Sequence, residues 1–125
     1  MNPDSEAMGV FRKILQEMKT ETKRDGKKFV LVYLPYEDDL LQYKQNPSYR
    51  SQYSTMKSVI ATEGIASIDL MKYFLKNGFD RGYDGTHYGP KTNKMISDAL
   101  WDNFKKLKLV PAQKADIEGL KRAAV

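Results

Sequence analysis

Lys28-Phe29-Val30-Leu31-Val32-Tyr33-Leu34-Pro35 is the stretch on which the fold turns. Its residues do not alternate polar and apolar; they are almost all apolar. A strand that shows one wet face alternates, whereas a strand covered on both faces, as in a parallel sheet, reads as a continuous apolar run. Pro35 ends the run, because proline has no backbone donor to give a ladder. The expectation is a parallel strand sandwiched between helices.

Working outward, residues 5–24 read as a helix that feeds this strand. Asp4 or Ser5 can cap its start. Met8, Phe11, Leu15, Met18 and Thr22 recur at helical spacing, with Ile14 widening the stripe. Lys23 and Arg24 suit the negative end of the helix dipole, and Asp25-Gly26 stops it. On the other side, residues 36–47 read as a polar surface loop at the strand's C-terminal end, where open parallel sheets carry their ligand sites. A second helix is predicted from Ser48 to Glu63, with Tyr49, Tyr53, Met56 and Ile60 on one stripe. Ile65-Ala66-Ser67-Ile68-Asp69 is a short second strand, followed by two helical turns from Leu70 to Lys76. A Gly-rich loop at 78–89 precedes a strong helix from Pro90 to about Leu107, with Pro90 at the first position, where no helical donor is lost. Its buried stripe runs through Met95, Ile96, Ala99, Leu100, Asn103, Phe104 and Leu107, and Trp101 and the methionines read as helix-face core. Residues 112–123 read as a short, weakly apolar helix within a C-terminal tail at 108–125.

Helices alternating with strands give an α/β class with parallel strands and right-handed crossovers. At 125 residues the chain is one domain or part of one. Two strands are few for a doubly wound sheet. The expectation is therefore a partial domain, completed by further chain, by a second molecule, or by a strand within a segment read as loop.

Composition limits the function classes. Hydrophobic residues at 41% and charged residues at 30% are those of a globular chain, not a disordered one. No apolar run approaches the length of a membrane span. The net charge of +5 is spread over Lys23, Arg24, Lys27, Lys28, then Lys105, Lys106, Lys108, then Lys121 and Arg122. Nucleic-acid binding needs basic residues gathered on one face; these read as helix ends and solvated faces. Without cysteine there is no disulfide, thiolate metal site or cysteine nucleophile. Nothing in the chain assigns a compartment.

The chemistry concentrates in Tyr83-Asp84-Gly85-Thr86-His87-Tyr88-Gly89-Pro90, which holds the one histidine. An imidazole takes and returns a proton near neutrality. It does so best when a carboxylate fixes its other nitrogen, and Asp84 and His87, three apart in a Gly-containing turn, can meet that way. The alternative reading is a surface histidine beside a helix start, with Asp84 capping turn amides. Asp69, at the end of the second strand, reads first as the cap of the next turn. Tyr83 and Tyr88 read as packing residues that can also line a cleft. Glu37, Asp38 and Asp39 share the same edge, but one histidine with scattered carboxylates is a weak metal signal; no metal or cofactor is expected.

The succession Phe29 to Pro35, Ile65 to Leu70, then Asp84-Gly85-Thr86-His87-Tyr88-Gly89-Pro90 and an amphipathic helix resembles the C-terminal half of the SGNH (GDSL-type) hydrolases, over roughly residues 5–107. The resemblance implies a flavodoxin-like three-layer α/β/α fold and a Ser-His-Asp esterase. His87 would be the base and Asp84 its orienting carboxylate. The family's nucleophile lies in a Gly-Asp-Ser block that this chain lacks, and its oxyanion-hole Gly and Asn belong to the same absent half. Ser48, Ser51, Ser54 and Ser58 fall on or at the start of a predicted helix, Ser67 in a strand and Ser97 on the last helix; none sits on a sharp strand-to-helix turn. The expectation is the C-terminal part of an ester hydrolase or acyltransferase, inactive alone, whose substrate when completed is a small-molecule or glycan ester. The alternative is a non-catalytic, SGNH-derived binding module. In either case the 29–34 strand would have an apolar free edge, closed by a homodimer or by the tail.

Overall fold

The computed structural model describes Asn2 and residues 4–111. The predicted short helix at 112–123, and the tail beyond Pro111, lie outside the described residues. The element order is α1 (Glu6–Arg24), β1 (Val30–Tyr33), α2 (Glu37–Gln45), α3 (Pro47–Thr62), β2 (Ala66–Asp69), α4 (Met71–Asn77) and α5 (Pro90–Lys106). It is a mixed helix and strand architecture of the α/β class. No described helix is long and apolar enough to cross a membrane.

Local chemistry sets most boundaries. The Ser5 hydroxyl accepts from the Met8 amide at 3.3 Å and starts α1. Asn46 does the same for α3, its side-chain oxygen accepting from the Ser48 and Tyr49 amides at 3.0 and 3.3 Å, with Pro47 at the first helical position.

The 36–47 segment is not a loop. It forms α2, and it hides no strand. The acidic run read there as loop polarity is a helix start: Glu37, Asp38 and Asp39 occupy the positive end of the dipole. The Asp39 carboxylate reaches back to accept from the Tyr36 amide at 2.8 Å, one half of a capping box. Leu40 and Tyr43, three apart, then turn one face toward the core.

Within the described residues the sheet has two parallel strands, in register from Val30 beside Ala66 to Tyr33 beside Asp69. The strands therefore end level, and their C-terminal edge is defined by Tyr33 and Asp69. Around these strands the core divides into two clusters. Leu31 packs with Phe11 and Leu15 from α1, Ile60 from α3 and Ile65 just before β2. Val30, Tyr33 and Ile68 pack with Leu40 from α2, Leu70, Met71 and Phe74 at and within α4, and Ala99 from α5.

The burial expected of β1 on both faces is incomplete: Val32 and Leu34 are exposed. The α1 stripe is also narrower than its periodicity suggests. Met8 and Leu15 are buried, but Ile14 and Met18 are about half exposed, as is Val10. Leu107 and Trp101 on the last helical stretch are likewise partly in solvent. A two-stranded sheet is too narrow to cover all of these side chains.

Candidate functional site

The residues between α4 and α5 form a small hairpin. Arg81 and Tyr88 make an antiparallel bridge. The Gly82 amide donates to the His87 carbonyl at 2.8 Å, and the Gly85 amide donates to the Gly82 carbonyl at 3.0 Å. Gly85 takes φ +71°, a conformation that costs a side-chain-bearing residue energy but costs glycine none. At this turn the Asp84 carboxylate folds inward. One oxygen accepts from the Thr86 and His87 amides at 3.0 and 3.1 Å, and the other contacts His87 Nδ1 directly. Asp84 thus caps turn amides and also meets the imidazole.

This arrangement has electrostatic and chemical consequences. The hydrogen bond with the His87 ring, with the two backbone donors behind it, holds the Asp84 carboxyl well below the usual carboxylate range. Asp84 is therefore an anion at any ordinary pH. A proton kept on Nδ1 by that anion leaves Nε2 with its lone pair, the form a general base needs. The Thr86 hydroxyl also lies 3.2 Å from Nδ1. The imidazole is 83% exposed and the carboxylate 50%, so the pair stands open to an incoming group.

The hairpin is held from two sides. In front, the Tyr36 hydroxyl donates to the Thr86 carbonyl, and the Tyr88 hydroxyl donates to the Pro35 carbonyl at 2.7 Å. The Arg81 guanidinium engages the Glu37 carboxylate. These bonds dock the hairpin on the junction between β1 and α2, at the C-terminal edge of the sheet. Tyr36, Phe74, Phe79 and Tyr88 pack beneath it at ring-centre distances of 5.3–6.2 Å. Behind, the Asp80 carboxylate accepts from the Lys91 and Thr92 amides at 3.2 and 2.6 Å and so caps α5. Its own amide donates to the Thr92 hydroxyl at 2.8 Å. The Thr92 hydroxyl and amide bonds hold the Asp80 carboxyl below its usual range. Gly89 is closely wedged: a Cβ there would meet the Asp80 carboxylate and lie 2.7 Å from the Arg81 carbonyl oxygen.

The other residues singled out by sequence are placed as follows. Asp69 does cap the next turn, accepting from the Met71 amide at 2.9 Å, and it also takes the Tyr53 hydroxyl and Lys57. Tyr88 packs as expected, whereas Tyr83 extends fully into solvent and packs on nothing. The acidic cluster at 37–39 disperses: Glu37 faces Arg81, and Asp39 serves Tyr36 and Tyr49. Among the described residues no three metal-ligating side chains converge. Among the described residues the side-chain partners of the His87 ring are Asp84 and Thr86, and no serine is one of them. Tyr36 and Asp80 are the positions that sequence reading misses. Each acts across a turn or a hairpin whose closure only three-dimensional packing reveals.

No family model, curated protein or solved structure matches this chain.

Proposed function

We propose that this chain supplies the base and orienting carboxylate, His87 and Asp84, of a Ser-His-Asp ester hydrolase or acyltransferase of the SGNH type, within a flavodoxin-like three-layer domain. The observation that carries this reading is the contact between His87 Nδ1 and the Asp84 carboxylate, in a hairpin docked at the C-terminal edge of a parallel sheet. The chemistry that follows is proton transfer at Nε2: it takes the hydroxyl proton of a serine as that oxygen attacks an ester carbonyl, then returns it to the departing alcohol. Two core clusters, one drawing on α1 and α3 and the other on α2, α4 and α5, are compatible with that layering. The absence of any serine among the partners of His87 supports the second reading, a non-catalytic module of the same descent.

The test is hydrolysis of p-nitrophenyl acetate by this chain, and by a product extended through the upstream reading frame. The chain alone is expected to be inactive, and an extended form bearing Gly-Asp-Ser is expected to be active. In that form His87→Ala should lower kcat by about 10⁴-fold or more, the usual cost of losing a triad member. An extended form with that block and no activity would refute the catalytic reading and leave the binding module.

A further inference from the structure

Where the two core clusters meet, beside the end of β1, there is an open cleft of 190 Å³. It is lined by Met8 and Phe11 of α1, by Tyr49, Gln52, Tyr53 and Met56 of α3, and by Tyr33 of β1. It is separate from the Asp84–His87 hairpin, none of whose residues lines it.

Three phenols suggest a polar site, but their protons are all committed elsewhere. The Tyr49 hydroxyl donates to Asp39 at 2.8 Å. Tyr49 has one proton, so at the 2.9 Å contact between the two hydroxyls Tyr33 is the donor and Tyr49 the acceptor. The Tyr53 hydroxyl donates to Asp69. Burial, first among the causes, raises the pKa of Tyr33 and of Tyr49, so neither offers a phenolate. What the tyrosines present to the cleft is ring surface. Among the lining residues Gln52 carries the one amide.

We propose that this cleft binds a single aromatic ring bearing at most one polar substituent. Size supports it: an apolar protein cavity of about 150 Å³ accommodates benzene, and this one is slightly larger. The wall chemistry selects the class. Thioethers sit favourably at aromatic edges. Tyr33 and Tyr53 already stand edge to face at 5.4 Å and 64°, so a third ring can extend the same packing. An aliphatic group of equal carbon number gains neither interaction. The Gln52 amide can meet one hydroxyl or carbonyl substituent at the mouth.

The experiment is a titration of the full chain, labelled with ¹³C at the methionine methyls, with phenol and separately with hexan-1-ol. Phenol should produce saturable ring-current shifts at Met8 and Met56 while Met18, Met71 and Met95 stay in place. Hexan-1-ol should bind a few-fold to about tenfold more weakly, the range an aromatic pair contributes. Gln52→Trp changes an exposed position at the mouth and should remove the phenol response, with the buried Met71 methyl reporting an intact core. Met56→Phe, which narrows the cleft from inside, should weaken it. Shifts of equal size at Met18 and Met95, equal affinity for hexan-1-ol, an undiminished response in Gln52→Trp, or no saturable shift at Met8 and Met56 would each overturn the proposal.

Discussion

Asp84 and His87 meet directly, and the signature of that contact is readable by titration. The folded-state pKa of Asp84 is depressed from 3.8. A depressed carboxyl stabilises the fold fully above the unfolded value and loses that contribution as pH falls through the lower, folded value. The hairpin should therefore be unaffected by acid down to about pH 4 and loosen only below it. Carboxyl ¹³C NMR should find the Asp84 midpoint below 3.8, and His87→Ala should move it upward toward 3.8. A midpoint that does not move would mean that the ring contributes nothing to holding the carboxylate. Gly89 is the other residue with a sharp expectation. Because a Cβ there meets Asp80 and crowds the Arg81 carbonyl, Gly89→Ala should destabilise by about 1–3 kcal/mol, the usual cost of overpacking, measured by denaturant unfolding.

At the scale of elements, α2 organises the front of the site. Its first turn provides Glu37 for Arg81, and its N-cap residue Tyr36 holds the Thr86 carbonyl. Asp39 supports both functions, since it fixes the Tyr36 amide and ends the Tyr33 to Tyr49 hydroxyl chain. Asp39→Ala removes a helix cap and leaves a half-buried phenol without its acceptor. The expected loss is about 1–3 kcal/mol in chemical denaturation, together with new peak positions for Thr86 and His87 in an amide NMR spectrum. Unchanged amides at 86 and 87 would show that α2 does not position the hairpin.

At the scale of the whole molecule, one flank of α1 is apolar and exposed among the described residues. Gln16 and Lys19 hold one flank of α1 against the C-terminal end of α3 through Glu63, at 3.1 and 2.9 Å. The other flank repeats Val10, Ile14 and Met18, exposed at 55%, 52% and 45%. Among the described residues β1 pairs with β2 alone, and Val32 is exposed as well. An open strand edge and an exposed apolar stripe each invite another chain. Sedimentation should show concentration-dependent self-association, and Ile14→Glu combined with Val32→Lys should abolish it. A wild-type chain that stays monomeric at all concentrations would contradict this.

The sequence by itself determined the α/β class, the two strands, four of the five described helices and the Asp84–His87 pair. Each of these is written in short-range patterns. An unbroken apolar run marks β1, helical periodicity marks α1, α3 and α5, and three-residue spacing places a carboxylate beside an imidazole across one turn. The tertiary structure alone decided the rest. Glu37, Asp38 and Asp39 read as loop polarity until the Tyr36 amide and the core contact of Leu40 make them a helix start. Ile14 and Met18 have core spacing, yet with only two strands beneath α1 they remain in solvent. Tyr36 meets Thr86 fifty residues away, and Asp80 caps a helix that begins ten residues later. Such contacts carry no local signature, because the free energy that selects them comes from closing the chain and burying what lies between.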